Sequence, residues 1–452
     1  MSDFLQTLSV PGAIWRMAGP NILISLIMLF YNITDTFFIS LLHDDLALAA
    51  VGITFPCLTI SLAVSSLLTV GSNSLVSRCL GAGDYARASK TGSDIFGLAL
   101  LTGLFLCIAG IILQDYLLRL LGAEPAVLPY AKQYSFWMFI TYIFTLTNGV
   151  LASVIKAQGY NFLTLLSFSF SCLLNLGLDY FFMFVCSWGV MGAALATSLA
   201  TVQLALFNWC LLNYHTALKV KINLKVIQFK WKMIKEIIAC GISAVIGQVI
   251  MTVLIISYNR AALYLPDSQS VLVAITVYLK LMAIQVTMFY GYGQAVLTVM
   301  SYALGAKNKK IFYQAMRCGE IASVVIWLFF LILFAGCSDW LLACFTKNAQ
   351  AIRIGSELLL AKNLLAAAGN WSLIIVCGYQ AFKLAGSSTV LSAGRQGLIL
   401  IPCLWLLSWL WGLNGLVWAS VIADGILFFL NIYYRRDLLN NLEYFISQEV
   451  MR

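Results

Sequence analysis

Long apolar runs, punctuated by clusters of charge, Gly and Pro, set the plan of this chain. Twelve such runs lie near 15–41, 47–78, 93–114, 129–156, 163–186, 190–213, 236–264, 271–304, 317–338, 352–383, 390–411 and 415–434. A hydrocarbon core of about 30 Å takes roughly 20 apolar residues per helix, so each run predicts a membrane-spanning helix. Several runs exceed 25 residues, which implies tilt, kinks or helix ends that project beyond the bilayer.

Self-comparison adds a second level of order. Ser77-Arg78-Cys79-Leu80-Gly81-Ala82-Gly83-Asp84 aligns with Ser301-Tyr302-Ala303-Leu304-Gly305-Ala306-Lys307-Asn308. Gly189-Val190-Met191-Gly192-Ala193-Ala194 aligns with Gly412-Leu413-Asn414-Gly415-Leu416-Val417, and Ala18-Gly19 with Cys240-Gly241. The order of elements is kept, so the chain reads as a repeat. The expected fold class is an all-α polytopic membrane protein, twelve transmembrane helices in two pseudo-symmetric six-helix bundles. Residues 1–215 form the first bundle, 216–235 a basic cytoplasmic connector, 236–436 the second bundle and 437–452 a cytoplasmic tail. Halves that each cross an even number of times are parallel repeats, the plan of transporters that alternate access around a site near mid-membrane.

Composition agrees with lipid as the solvent: of 452 residues, 62% are hydrophobic and 10% charged, and the mean hydropathy is +0.92. The formal charge of +9 matters through its placement. Lys219, Lys221, Lys225, Lys230, Lys232 and Lys235 form one group, Lys307, Lys309, Lys310 and Arg317 a second, and Arg435 with Arg436 a third. They recur on alternate loops, which puts those loops and both termini in the cytoplasm of a multi-pass protein of the bacterial inner membrane. The lysine-rich connector is expected to be solvated at the lipid surface rather than to bind nucleic acid. Met1 to Arg16 lacks a charged region leading to a cleavage site, so the first run is expected to be retained.

The twelve cysteines sit mostly singly in apolar runs and read as small packing residues; Cys337 and Cys344 are the pair that could bridge. Two histidines, His43 and His215, give zinc or haem little to bind. No G-x-x-x-x-G-K-[ST] loop is present, so ATP does not drive the chain directly. No cofactor is expected, and clustered catalytic groups of an integral-membrane enzyme are lacking. The expected partners are the lipid bilayer and a small-molecule substrate, handled by a monomer.

Acids inside the membrane carry the chemistry, because a carboxylate in hydrocarbon costs several kcal/mol unless it faces protein or water. Asp35 lies about six residues, roughly 9 Å, from the outer end of the first span. Asp179 lies at similar depth in the fifth, and Thr197 in the sixth. Four-residue spacing puts Tyr31 on the face of Asp35 and Asn175 on that of Asp179. The set could enclose a proton or a small cation, since two carboxylates close together in low dielectric cannot both ionise easily. Pro20 lacks a backbone donor and sits about four turns before Asp35, which makes it a candidate hinge. In the second half, Asn259 stands at the repeat position of Asp35, and the intramembrane acid is Asp424. Lys280 and Lys362 could pair with acids or snorkel outward. Gln248, Asn259, Met282, Gln285, Met288, Tyr290, Gln294 and Asp424 are candidates to line a cavity for flat, apolar cations through stacking and cation–π contact.

The paired Leu-Gly-Ala motifs, the Gly189-x-x-Gly192-Ala193-Ala194-x-Ala196-Thr197 run, Asn175-x-x-x-Asp179 and Pro20 with Asp35 together resemble the multidrug and toxic compound extrusion (MATE) transporters over nearly the whole chain. Gln294, Tyr302 through Lys307, Gln248 and Asn259 are most similar to its DinF/MepA-like branch. The resemblance implies outward extrusion of drug-like, often cationic compounds by antiport against H⁺ or Na⁺. It also implies that Asp35, Asn175, Asp179 and Thr197 form the cation site, holding Na⁺ where Na⁺ is the coupling ion. The acids that the NorM-like branch carries in its seventh and tenth spans are missing: Gln248 stands in the former, and Asn370-Trp371-Ser372-Leu373 lacks the latter. The usual Arg near the end of span four is replaced by Lys156-Ala157-Gln158-Gly159. A flippase of lipid-linked saccharides, from the same superfamily, is the alternative reading.

Overall fold

A computed structural model of the chain describes residues 9–42 and 44–450, without the side chains of 32, 33, 35–37, 40, 45, 48, 395, 396 and 444–450. Among the described residues fifteen α-helices follow one another: α1 Val10–Ser40, α2 Asp45–Gly81, α3 Tyr85–Ile112, the short α4 Gln114–Leu120, α5 Leu128–Ala157, α6 Asn161–Tyr180 and α7 Gly189–Tyr214. Then come α8 Trp231–Leu263, α9 Ser268–Gly305, α10 Lys309–Ala343, α11 Ala349–Leu364, α12 Ala366–Phe382, α13 Ala385–Ala393, α14 Leu400–Trp411 and α15 Leu413–Val450. No strand occurs among the described residues.

Ten of these helices are long and apolar enough to cross a bilayer. The pair α11–α12, bent by 52° at its break, supplies another crossing. The last comes from α13 and α14, joined by a π-helical stretch over Gly394–Leu398. This is the expected twelve-helix architecture. The helices outrun the predicted spans, however: α10 covers Lys309–Ala343 where hydropathy marks 317–338. Hydropathy sees only the part that wants lipid, whereas a helix continues until its orphan end groups are capped. Asn308 caps α10 by accepting from Ile311 N–H at 3.1 Å, and Asp84 caps α3 by accepting from Arg87 N–H at 2.8 Å.

These caps belong to the repeat. After α2 the chain turns through Gly83 at φ +76°, and after α9 through Lys307 at φ +52°, each followed by the capping residue. The Gly-x-x-Gly pairs also match. Gly189 and Gly412 take φ +53° and +58°, a region that L side chains avoid. Gly192 and Gly415 sit where a Cβ would strike the backbone of Phe182 and Leu407 respectively.

Two compact units emerge. The first comprises residues 19–241; the second gathers residues from Ile242 onward together with the α1 residues up to Ala18. In the first unit α5 is central, packed against α2, α3 and α7. In the second, α9 packs on α10, α11 and α12, and α15 on α12 and α14. Large apolar side chains such as Phe105, Ile112, Leu173 and Trp409 are exposed, as lipid-facing residues are, while buried positions are rich in Ser, Thr and Asn that hydrogen-bond between helices.

The connector departs from expectation. Its later part, including Lys225, Lys230 and Lys232, is exposed as expected, but its first part packs into the first unit with alternate residues Leu218, Val220 and Ile222 buried. Its backbone is tied down by side chains: Val220 N–H donates to Gln158 Oε1 at 2.9 Å, Asn223 N–H to Ser93 Oγ at 2.9 Å and Gln228 N–H to Asp94 Oδ1 at 2.7 Å. The period-two alternation buries apolar side chains while the lysines between them keep their charge outside. Gln158, from the Lys156-Ala157-Gln158-Gly159 segment, thus acts as a latch. Cys337 and Cys344 are both free and exposed.

Candidate functional site

Helix α6 is polar on its inside. Its buried residues are Asn161, Thr164, Leu165, Ser167, Ser171, Asn175 and Asp179, six polar groups at spacings of three or four that fall on one face. Its other face is apolar and exposed. Three of these groups bond to neighbouring helices: Asn161 Nδ2 donates to Asn21 Oδ1 of α1 at 3.0 Å, Ser167 Oγ to Asn208 Oδ1 at 2.9 Å and Ser171 Oγ to Ala200 O at 2.8 Å. Asn21 directly follows Pro20, through which α1 runs without interruption.

At the end of this face three helices meet. Asp179 is 1% exposed and Asn175 2%. The surrounding network orients the Asn175 amide so that its nitrogen donates to Asp179 Oδ2 at 2.8 Å and its oxygen accepts from Thr197 N–H at 3.2 Å. From α1, the Tyr31 hydroxyl lies 3.4 Å from Thr197 Oγ1. Two local features place Thr197. Gly189 makes the turn into α7, and Gly192 lets α7 touch the backbone of Phe182. Directly after Asp179, the chain widens into a π-helical turn at Phe181–Val185, an irregularity that recurs at functional sites. The arrangement offers one buried carboxylate among amide and hydroxyl oxygens, hard donors suited to a proton or a small hard cation. Four of the five predicted coupling residues are thereby gathered. The fifth, Asp35, stands one turn beyond Tyr31 on α1, and its side chain is outside those described. Among the described residues no three His, Cys, Asp or Glu side chains form a metal cluster.

The second unit has charged groups of its own. Lys362 Nζ meets Asp424 Oδ2 at 2.7 Å, with the Asp424 side chain only 6% exposed. Beside it, Gln285 Nε2 donates to Asn363 Oδ1 at 3.0 Å and Trp327 Nε1 to Asn363 O at 2.6 Å. Of the other predicted cavity residues, Met282 is buried, Met288 and Gln294 are half-buried, and Gln248, Asn259 and Tyr290 are exposed, as is Lys280.

A cavity of about 480 Å³ opens elsewhere in this unit, between α10, α12 and α15. Its walls include Val324, Trp371, Phe428 and Ile432, with Glu320, Arg435 and Arg436 as its charges. Arg435 grips Glu320 with Nε at 2.6 Å and Nη2 at 3.3 Å, and Trp371 Nε1 donates to the same carboxylate at 3.2 Å. None of the predicted cavity residues lines it. The signal for Glu320 was an acid following Cys318-Gly319 at the head of an apolar run, next to the basic group that drew attention to Arg317.

Comparison with known proteins follows the same outline. The MatE family model matches residues 20–181 and 243–405, one segment in each half. The multidrug export protein MepA of Staphylococcus aureus is 25% identical over 435 residues, covering 94% of each chain. Among solved structures, an outward-facing multidrug resistance MATE family transporter of the MOP superfamily superposes with a TM-score of 0.90 at 21% identity, covering 96% of this chain and 97% of that one. A MOP superfamily transporter from Pyrococcus furiosus, described as having a binding pocket of reversed polarity, gives 0.88 at 21% identity and the same coverage.

Proposed function

The chain belongs to the MatE family, and from that premise we propose that it is a secondary antiporter exporting small cationic or amphipathic organic compounds in exchange for H⁺ or Na⁺. The observation that carries this reading is the buried Asp179, held by Asn175 beside Thr197 and Tyr31 where α1, α6 and α7 meet. A carboxylate at membrane depth is expensive, and where it is kept it marks an ion or proton pathway by default. The likeness to a multidrug export protein over 94% of both chains supports the cargo class.

Coupling then runs as a change in packing. A proton or Na⁺ taken up at Asp179 offsets its charge and draws α1, which carries Tyr31 and Asp35, onto α6 and α7. Pro20 lets α1 bend while Asn21 stays tied to Asn161. The two halves alternate access around a mid-membrane cargo site, in a monomer of the inner membrane whose basic loops and termini face the cytoplasm. Replacing Asp35→Asn is expected to abolish drug efflux from cells while leaving membrane expression intact. Full drug resistance in that variant would sink the reading.

A further inference from the structure

We propose that Asp424 anchors an ammonium site in the second unit, occupied in this structure by the side chain of Lys362, which competes there with a protonated amine group of the cargo. The inference rests on the reading of the chain as a cation exporter and adds to it a chemical class: compounds bearing a primary ammonium.

The site is built from a broken helix. Helix α11 ends at Leu364 and α12 begins at Ala366, the two bent by 52°. Lys362 lies in the last turn of α11, where the carbonyl end of a helix favours a cation. Asp424, on α15, approaches the first turn of α12: its Oδ1 is 3.8 Å from the position a Cβ would take on Gly369, where the amide end favours an anion. The break is held by protein groups, with Trp327 and Gln285 both committed to Asn363.

In the same unit, Tyr258 of α8 and Tyr278 of α9 are both buried, with ring centroids 6.0 Å apart. A buried carboxylate needs a paired cation to offset its desolvation, which an ammonium group supplies. The two partners differ in freedom. The Asp424 side chain is 6% exposed and fixed, whereas that of Lys362 is 23% exposed on a flexible four-carbon stem, so the lysine can withdraw and leave the carboxylate to another amine.

Lys362→Ala removes the atoms that propylammonium would replace. The purified transporter with this substitution is expected to melt several degrees higher when propylammonium is added, with a half-maximal concentration at least ten-fold below that of the wild type. Propanol, uncharged and of similar size, should have no such effect, and Lys362→Ala with Asp424→Asn should respond to neither. An equal response to propanol, an unchanged response in the double variant or no response at all overturns the proposal. If Lys362→Ala fails to fold, expressing it with either additive decides the matter: folded yield recovered by propylammonium alone supports the site, and equal yields reject it. None of these readouts depends on transport, so this proposal and the antiport reading fail separately.

Discussion

A single methyl group at Gly192 should slow the proposed cation-coupled export. A Cβ there would lie 2.8 Å from the carbonyl carbon of Phe182 and 2.9 Å from its oxygen, and both are backbone atoms that cannot rotate away. Ordinary contact begins near 3.4 Å, so α7 must retreat from the end of α6 by about 0.6 Å, at a cost of about 1–3 kcal/mol. The same shift lengthens the bond from Thr197 N–H to the Asn175 oxygen, now 3.2 Å, to about 3.8 Å, beyond hydrogen-bonding range. Losing one such bond, worth about 1 kcal/mol, should weaken the proposed cation site roughly five-fold. Purified Gly192→Ala should melt roughly 2–10 °C lower, and in proteoliposomes it should export a cationic dye about five-fold more slowly per folded molecule when the coupling ion is limiting. Gly355→Ala is the control: its Cβ would press on Leu342 Cδ2 at 2.6 Å in the second unit, a strain that falls on a buried side chain and does not touch Thr197. Full export by Gly192→Ala, or an equal export loss in Gly355→Ala, would refute the reasoning.

Other consequences concern stability. Lys307 holds a left-handed turn at φ +52°, which its repeat partner gives to Gly83. Relief of that strain makes Lys307→Gly stabilising by about 0.5 kcal/mol after the backbone-entropy cost of glycine, read as a small rise in melting temperature; a fall would contradict it. Glu320→Gln strips the half-buried Arg435 of its ion pair, at 2.6 Å, and should cost about 1–2 kcal/mol. A double-mutant cycle with Arg435→Gln should return most of that loss as coupling energy, and a coupling near zero would show that the pair is unimportant.

What could be read in the sequence was what leaves a chemical trace there. The Gly-x-x-Gly pairs repeat because left-handed turns and backbone contact admit little besides glycine, and Gly189, Gly192, Gly412 and Gly415 all meet such demands. Asn175 and Asp179 were legible because helical spacing puts them on one face and lipid forbids them the other. Helix ends were not legible, since caps such as Asn308 lie outside the apolar signal. Nor was the break between α11 and α12: Asn363-Leu364-Leu365-Ala366 contains neither Gly nor Pro, and partners remote in sequence, Trp327 and Gln285, hold the freed groups. Glu320, Trp371 and Arg435 come from three helices and converge only in the fold. The connector did carry its signal, the alternation of Leu218, Val220 and Ile222, but the number of lysines pointed toward water instead.

Cation coupling through the first unit is tested most directly in proteoliposomes of the purified protein, with a pH gradient and a Na⁺ gradient imposed separately. One of the two should drive a cationic dye uphill, an equal K⁺ gradient should not, and Asp179→Asn should still bind dye but transport none. Uphill transport that ignores both gradients, or that survives in Asp179→Asn, would contradict the account.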